Sequence, residues 1–322
     1  MRFVLSLLFA TTAIAAEDKP IFEGKLAEIA GKGSAGEGPA WDPKLGILTS
    51  GSDGHIHRFS RDGVSSIHRK DAGTNGLLFD REGRLIACEP KLKRVTRTET
   101  DGTLKVLTDS FGGKKYNTPN DVTIDSKGRI YFSDPRYGPR DGMEQKDEKG
   151  QPIEGVYRID LDGKVSRVLG REVDRANGVL VSADDKYLYV ADNNNNTPGG
   201  GARALWRFDL NDGEVDAKSK KLIYNWGKGR GPDGLKQDVD GRLYVAAGVN
   251  KANEHETADE KGGIYVFSPA GDKLAFVHVP TDEVTNCAFG GDDLKTLYIT
   301  GGGVLYSIHT TTAGRVLWNG KK

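Results

Sequence analysis

Residues 231–248 read GPDGLKQDVDGRLYVAAG, and this stretch contains the pattern that decides the fold. Asp233 stands between Pro232 and Gly234, directly before a short apolar run. An acidic turn, DVDGR, then leads into a second run of β-branched, aromatic and small residues, LYVAA. An acidic start and a late glycine suit a type I turn closed by a residue with positive φ. The stretch therefore predicts a β-hairpin that begins with a polar residue.

The same pattern occurs six times along the chain. The other five copies are GEGPAWDPKLGILTSG, TNGLLFDREGRLIACE, PNDVTIDSKGRIYFSD, ANGVLVSADDKYLYVAD and TNCAFGGDDLKTLYITG. Their first polar residues, together with Asp233, are Glu37, Asn75, Asn120, Asn177 and Asn286. Successive members of this set are 38, 45, 57, 56 and 53 residues apart. Such periods are typical of propeller blades.

The pattern predicts an all-β fold, a six-bladed β-propeller whose four-stranded antiparallel blades surround a central channel. Nothing resembles an interdomain linker, so residues 17–322 are predicted to form a single domain. The stretch KLAEIAG near the start of the chain is expected to pair with the C-terminal strands, because an open propeller would expose two sheet edges. The Gly-, Pro- and polar-rich segments 138–155 and 193–203 are expected to be loops over one face.

The first 16 residues, MRFVLSLLFATTAIAA, have the features of a secretory signal peptide. One Arg precedes a short apolar run that ends in small residues, and polar residues follow at once. A buried first strand or helix is the alternative. The signal peptide predicts a periplasmic or secreted protein that has no membrane association once the signal is removed.

The composition of the chain limits the kinds of binding partner that can be expected. The chain has 46 basic and 46 acidic residues, so no net charge attracts nucleic acid, and a monomer or weak dimer is expected. Cys88 and Cys287 are almost two hundred residues apart and show no metal-ligand spacing. A disulfide remains an alternative, but two buried free thiols are expected.

If the first strand of every blade lines the channel, the six leading polar residues lie at the same mouth of that channel. Carboxylates and amide carbonyls are the ligands that Ca²⁺ prefers, whereas Zn²⁺ prefers Cys and His. The sequence therefore predicts one divalent metal ion at this mouth, Ca²⁺ first, with Zn²⁺, Mg²⁺ or Mn²⁺ as substitutes. Each side chain taken alone could instead cap a strand or a turn.

At these residues the chain resembles the SMP-30/gluconolactonase/luciferin-regenerating family. The resemblance rests on EGPAWD, NGLLFDREGRLIACE, NTPNDVTIDSKGRIYFSDPRYG, ANGVLVSADDKYLYVAD and PDGLKQDVDGRLYVA. It implies a six-bladed propeller whose metal is held by Glu37, Asn177 and Asp233, with Asn120 beside the metal touching substrate. It also implies a lactone substrate.

The predicted function is a calcium-dependent hydrolase that opens a small-molecule lactone, first of all a sugar lactone. The metal would polarise the carbonyl, and Asp233 is the candidate catalytic residue that orients or activates water. Asn75, Asn120, Glu89 and Asp134 are the candidates for contacts to substrate. Two alternatives stay open: another ester or organophosphate hydrolase on the same metal site, and a non-catalytic propeller that binds a protein or glycan.

Overall fold

The computed structural model describes residues 20–195 and 200–316. The predicted signal peptide, residues 1–16, lies outside the described residues. The described chain is almost entirely β-structure and starts with a long strand, β1 (Phe22–Ala35). No helix in this part of the protein is long and apolar enough to cross a membrane.

Blades 1 to 3 follow β1 along the chain. Blade 1 consists of β2 (Glu37–Asp42), β3 (Gly46–Ser50), β4 (Ile56–Phe59) and β5 (Ser65–Arg69). Blade 2 consists of β6 (Leu77–Phe79), β7 (Leu85–Glu89), β8 (Arg94–Thr98) and β9 (Leu104–Thr108), with a 3-10 turn at Pro90–Leu92. A two-stranded hairpin comes next, formed by β10 (Ser110–Phe111) and β11 (Lys114–Lys115). Blade 3 consists of β12 (Val122–Ile124), β13 (Ile130–Ser133), β14 (Val156–Ile159) and β15 (Val165–Leu169).

Blades 4 to 6 complete the ring. Blade 4 consists of β16 (Ala176–Val181), β17 (Tyr187–Asn193), β18 (Arg203–Asn211) and β19 (Glu214–Asn225). Blade 5 consists of β20 (Leu235–Gln237), β21 (Leu243–Ala247), β22 (Gly263–Phe267) and β23 (Lys273–His278). Blade 6 consists of β24 (Val284–Gly290), β25 (Thr296–Gly301), β26 (Gly303–Thr310) and β1. The predicted six-bladed β-propeller is confirmed.

Blade 6 joins the two ends of the described chain. Strand β1 pairs antiparallel with β26, from Phe22 opposite Thr310 to Ala35 opposite Gly303. The predicted pairing of the N-terminal stretch is confirmed, and the strand extends beyond the predicted KLAEIAG segment at both ends. Without β1, β26 would present an unpaired edge.

Apolar packing between neighbouring blades holds the ring together. Each of the six buried apolar clusters combines side chains from two adjacent blades, including the pair formed by blades 6 and 1. Full burial of one Leu, Ile or Phe side chain contributes about 1.5–3 kcal/mol. The first strands of adjacent blades contact one another around the ring, which places them next to the channel.

The acidic residue that opens the hairpin turn has a structural role in three blades. Asp80 Oδ1 accepts hydrogen bonds from the backbone N–H groups of Glu82 and Arg84, at 3.0 and 2.9 Å. Its other oxygen, Oδ2, accepts the Arg84 Nε–H at 2.7 Å. The turns DSKGR and DVDGR repeat this arrangement. The turn glycines have positive φ, as the sequence predicted.

The glycine after a leading polar residue permits close contact between blades. A Cβ on Gly178 would lie 2.1 Å from the backbone oxygen of Asp233 in the next blade. A Cβ on Gly38 would lie 2.0 Å from the backbone oxygen of Asn75. Both distances are far below carbon–oxygen van der Waals contact, so only glycine fits. The polar–Gly dipeptides thus bring successive polar residues close together at the mouth.

The segment after β26 crosses the opposite end of the channel, at the hairpin turns. Gly314 N–H donates to the Leu294 carbonyl at 2.8 Å, and Arg315 N–H donates to the Gln237 carbonyl at 2.8 Å. The Arg315 guanidinium reaches the Val181 carbonyl at 2.9 Å. This segment therefore links blades 4, 5 and 6 on that face.

Candidate metal centre

A polar cavity of about 520 Å³ lies at the mouth where the first strands begin. Five of the six leading polar residues line it, namely Glu37, Asn75, Asn120, Asn177 and Asp233. The structure thus brings together side chains that are up to 196 positions apart in sequence, as the distance from residue 37 to residue 233 shows. The five leading residues meet here because each occupies the same position in its repeat, at the start of the inner strand of its blade.

The sixth leading residue, Asn286, supports the cavity from outside its lining. Its Nδ2 donates to Glu37 Oε2 at 3.1 Å, and its Oδ1 accepts the Cys287 N–H at 2.9 Å. Its amide is therefore already committed to protein partners. Asn286 holds the Glu37 carboxylate in position rather than facing the cavity.

Three amide oxygens in this cavity lack a protein partner. The Oδ1 atoms of Asn75, Asn120 and Asn177 are buried and accept no hydrogen bond from the described residues. Asn177 is oriented by its other amide atom, because Nδ2 donates to the Tyr137 hydroxyl at 2.8 Å. A buried acceptor without a donor costs about 1–3 kcal/mol. A hard cation ligated by such oxygens would remove that cost, so the residues present fit a divalent metal ion.

Two carboxylates of the cavity, those of Glu37 and Asp233, have raised pKa values. Desolvation in the mouth raises the pKa of Glu37 well above its usual range, and the Asp233 carboxylate raises that pKa further. Burial likewise raises the pKa of Asp233, although the neighbouring Arg230 guanidinium opposes this shift. A bound cation would favour the ionised form of both groups, which agrees with the unpartnered amide oxygens beside them.

Arg230 belongs to this site and escaped the sequence analysis. Its Nη2 donates to Asp233 Oδ2 at 2.8 Å and lies 3.2 Å from Glu283 Oε2. Its Nη1 lies 3.8 Å from Glu256 Oε1. The sequence contained a signal for this residue, because Arg230 stands three residues before Asp233 in GRGPDG. Arg230 is the cation that holds Asp233 in place.

The wall of the cavity comes mainly from connections of blades 3 to 6. Its members beyond the leading residues are Tyr137, Asn195, Arg230, Asn253, Glu254, His255, Glu256, Glu283 and Thr285. Four of them belong to the connection between β21 and β22, which carries no repeat signal in the sequence. Among the described residues of the predicted loops 138–155 and 193–203, only Asn195 lines the cavity. His255 also lines it.

One buried arginine fixes that wall. The Arg203 guanidinium donates to the carbonyl oxygens of Lys228 and Gly229, at 2.6 and 3.2 Å. It also donates to those of Asn195 and His255, at 3.3 and 2.7 Å. These four bonds tie three separate segments together behind the cavity.

The structure does not bring Glu89 or Asp134 to this cavity. Glu89 is buried between Arg69 and Arg94, each 2.6 Å away, and accepts the Thr96 hydroxyl. Its carboxylate therefore neutralises two arginines within and beside blade 2, which leaves no role in substrate contact.

Asp134 likewise serves the fold. Its two carboxylate oxygens accept the backbone N–H groups of Asn117 and Thr118, both at 2.8 Å. This carboxylate shapes the connection before blade 3, so it does not reach the cavity.

Two further observations limit the chemistry. Cys88 and Cys287 are buried free thiols, which agrees with the expectation from their spacing. Within residues 20–195 and 200–316, no group of three or more His, Cys, Asp or Glu side chains gathers around a common point. The candidate centre instead combines two carboxylates with amide oxygens, the donor set of a hard cation.

A second cavity of about 70 Å³ lies deeper along the channel and is lined mainly by apolar side chains of the inner strands. These include Trp41, Leu77, Val122, Leu180 and Phe289. It offers no comparable set of oxygen donors. The chemistry of the channel is therefore at its polar mouth.

Fold and site together define a class: six-bladed propellers with carboxylate and amide oxygens gathered at one channel mouth. A model of the SMP-30/Gluconolactonase/LRE-like region matches residues 35–303. The chain belongs to this family.

Relatives and a solved structure agree with that assignment. A gluconolactonase of Zymomonas mobilis is 26% identical over 253 residues, which cover 76% of this chain and 65% of that protein, just under two thirds of its length. Pentonolactonase XacC of Haloferax volcanii is 27% identical over 276 residues, which cover 83% of this chain and 81% of that protein. The structure of XC5397 from Xanthomonas campestris, described as a gluconolactonase, superposes with a TM-score of 0.72 at 27% identity and covers 88% and 89% of the two chains.

Proposed function

We propose that this protein is a hydrolase that opens sugar lactones at the polar mouth of its propeller, with a divalent cation, Ca²⁺ first, held by Glu37, Asn177 and Asp233. The enzyme class is that of its lactonase relatives, hydrolases of carboxylic ester bonds. The substrate is a small molecule, in keeping with a cavity of about 520 Å³.

One observation carries the proposal. Two carboxylates and three partnerless amide oxygens from five different blades converge on one small cavity. A purely structural role would satisfy these amides with protein donors, as happens for Asn286. Oxygens left free in this way are available to a cation and to the hydroxyl groups of a ligand.

Ester opening requires a polarised carbonyl, an activated water and a stabilised leaving oxygen. When bound, the cation supplies Lewis acidity toward the lactone carbonyl. Asp233 orients the hydrolytic water and draws its proton, and this proton passes to the ring oxygen as the ring C–O bond breaks. Arg230 fixes this carboxylate through Oδ2, and no hydrogen bond from the described residues reaches Oδ1. That oxygen is thus the one available to the cation or to a water molecule.

The remaining lining residues bind and orient the lactone. Asn75 and Asn120 present acceptor oxygens to its hydroxyl groups, and both line the cavity together with Glu37 and Asp233. Tyr137 donates its hydroxyl proton to the Asn193 carbonyl at 3.1 Å, which fixes its ring beside Asn177. These contacts hold the lactone ring within reach of the Asp233 carboxylate.

The test is hydrolysis of a panel of five- and six-membered lactones with and without a chelator. We expect chelation to abolish turnover and Asp233→Asn to lower kcat/KM by at least about 100-fold, the scale of a lost general base. Asp62→Asn, at an exposed turn on the opposite face, is the matched control and should retain full activity. Circular dichroism and thermal unfolding establish that each variant is folded.

Other outcomes would redirect the assignment. Turnover that survives complete removal of metal would contradict the metal-dependent mechanism. Hydrolysis of aryl esters or phosphotriesters without any lactone would favour the other ester or organophosphate hydrolases. Three loop residues are the candidates for anchoring a protein partner, namely Tyr137, Arg140 and Arg203. Arg203 is buried and bonded to four carbonyls, Tyr137 is bonded to Asn177, and Arg140 pairs with Glu154. This favours an enzyme over a protein-binding propeller.

Export extends the proposal. The signal-like residues 1–16 direct the enzyme to the periplasm or the medium, where Ca²⁺ is available to the site. N-terminal sequencing of protein from a secreting host should find Ala16 or Glu17 at or next to the new terminus. An intact Met1 on the protein in the cytoplasm would contradict export.

A further inference from the structure

The mouth cavity carries a large excess of acidic side chains. Its lining contains five carboxylates, those of Glu37, Asp233, Glu254, Glu256 and Glu283. Arg230 is the only Arg or Lys among the described lining residues. The two positive charges of a bound divalent cation, added to that of Arg230, still leave negative charge in excess.

Arg230 is not available to an anionic ligand. Its two terminal nitrogens face Asp233, Glu283 and Glu256. Its Nε has no hydrogen-bond partner among the described residues, but this atom is buried from solvent. An anionic group on a substrate could pair with Arg230 only by displacing one of these carboxylates. Such a displacement leaves a carboxylate unpaired in the mouth, which is costly.

The neighbouring basic groups are committed as well. The terminal nitrogens of Arg203 donate to four backbone carbonyls behind the wall, and its Nε is buried from solvent. The His255 ring lies 3.1 Å from Glu254 Oε1. Apart from the buried Arg230 Nε, the basic groups of the described lining are therefore committed to protein partners.

Glu254 and Glu283 are the carboxylates best placed to meet the outer part of a ligand. Their side chains are 83% and 53% exposed, whereas Glu256 is buried and accepts the amide N–H groups of Asn195 and Asn253. Exposed carboxylates accept hydrogen bonds from sugar hydroxyl groups. They repel a carboxylate, phosphate or sulfonate in the same place.

We infer that the site selects uncharged, polyhydroxylated lactones and rejects lactones that carry an acidic substituent, with Glu254 and Glu283 as the specificity-determining residues. This inference rests on the proposed lactonase function and deepens it. A ligand inside a cavity of this size lies within about one Debye length, about 10 Å at 0.1 M salt, of the acidic wall. Repulsion from the net negative charge of the lining then disfavours an added negative charge roughly tenfold or more.

The experiment compares gluconolactone with the matched glucarolactone, in which a carboxylate replaces the terminal hydroxymethyl group. We expect kcat/KM for the acidic lactone to be at least about tenfold lower than for gluconolactone at low salt. This difference should become smaller at higher salt, because salt screens the charges of the acidic lining. The double variant Glu254→Gln/Glu283→Gln should close most of the gap. Asp62→Asn removes a carboxylate on the opposite face and should leave the ratio of the two kcat/KM values unchanged.

Binding provides a readout that does not depend on turnover. The corresponding lactams keep the ring and the substituents but resist opening, so calorimetry measures their affinities directly. Similar affinities for the neutral and the acidic lactam, or a ratio that the double variant does not alter, would overturn the inference. Absence of turnover on every lactone, with the affinity gap intact, would instead contradict the proposed function alone.

Discussion

The contact between blades 4 and 5 provides a test of how the site is assembled, through the substitution Gly178→Ala. The added Cβ would lie 2.1 Å from the Asp233 backbone oxygen and 2.9 Å from Leu235 Cδ2. Ordinary carbon–oxygen contact requires more than 3 Å, so the two inner strands must separate by roughly 1 Å. Overpacking of this kind costs about 1–3 kcal/mol, and we expect the upper end because the obstacle is backbone. Asn177 and Asp233 move apart with the strands, so cation binding should weaken too.

Gly31→Ala is the matched control. Gly31 also lies in a strand without positive φ, and the nearest atom to an added Cβ is 4.0 Å away. This substitution should alter the free energy of unfolding by less than about 0.5 kcal/mol. Urea unfolding followed by tryptophan fluorescence measures both variants, and calcium titration calorimetry measures the site. Equal unfolding free energies for the two variants would refute the argument that glycine sets the distance between the blades.

Three further outcomes are expected. Glu37→Gln should weaken calcium binding at least about tenfold by calorimetry, because it replaces a charged ligand, and an unchanged affinity would remove Glu37 from the ligand set. Burial raises the pKa of Asp134 to about 7, so its contribution to stability is greatest below the unfolded-state pKa and is lost as pH rises through about 7. Asp134→Asn should accordingly lose less stability at pH 8 than at pH 4 relative to the parent protein, and a constant difference between these pH values would contradict the shift. Burial raises the pKa of the Cys287 thiol to about 12, so alkylating reagents should label it only after unfolding, and rapid labelling of native protein would contradict its burial.

The fold could be predicted because its information is repeated. Each hairpin has the same order of polar residue, apolar run and acidic turn, and Gly83, Gly128 and Gly241 confirm the turn geometry. Because the leading residues share one phase, their gathering at one mouth also followed from the sequence. Asn286 shows the limit of this reasoning. The position of a residue in the repeat places its side chain at the mouth, but it does not decide whether the amide faces the cavity or a neighbouring residue.

The remainder of the site could not be predicted for physical reasons. The connection that carries Asn253 and His255 has no period, and its path depends on bonds such as those from Arg203 to distant carbonyls. Glu89 and Asp134 were candidates for contacts to substrate, and they lie at the end of the second strand of blades 2 and 3. A carboxylate in that position looks the same in sequence whether it faces a ligand, an arginine or a backbone amide.

The closing strand of blade 6 makes the order of synthesis important. Phe22 emerges early from the ribosome, yet its partner Thr310 follows 288 residues later, as their numbers show. Until then β1 has no neighbour to pair with, and the partial ring keeps one side of blade 1 uncovered. Newly made chains must therefore avoid aggregation while the propeller ring is still open. Shortened chains that lack β26 cannot close the ring.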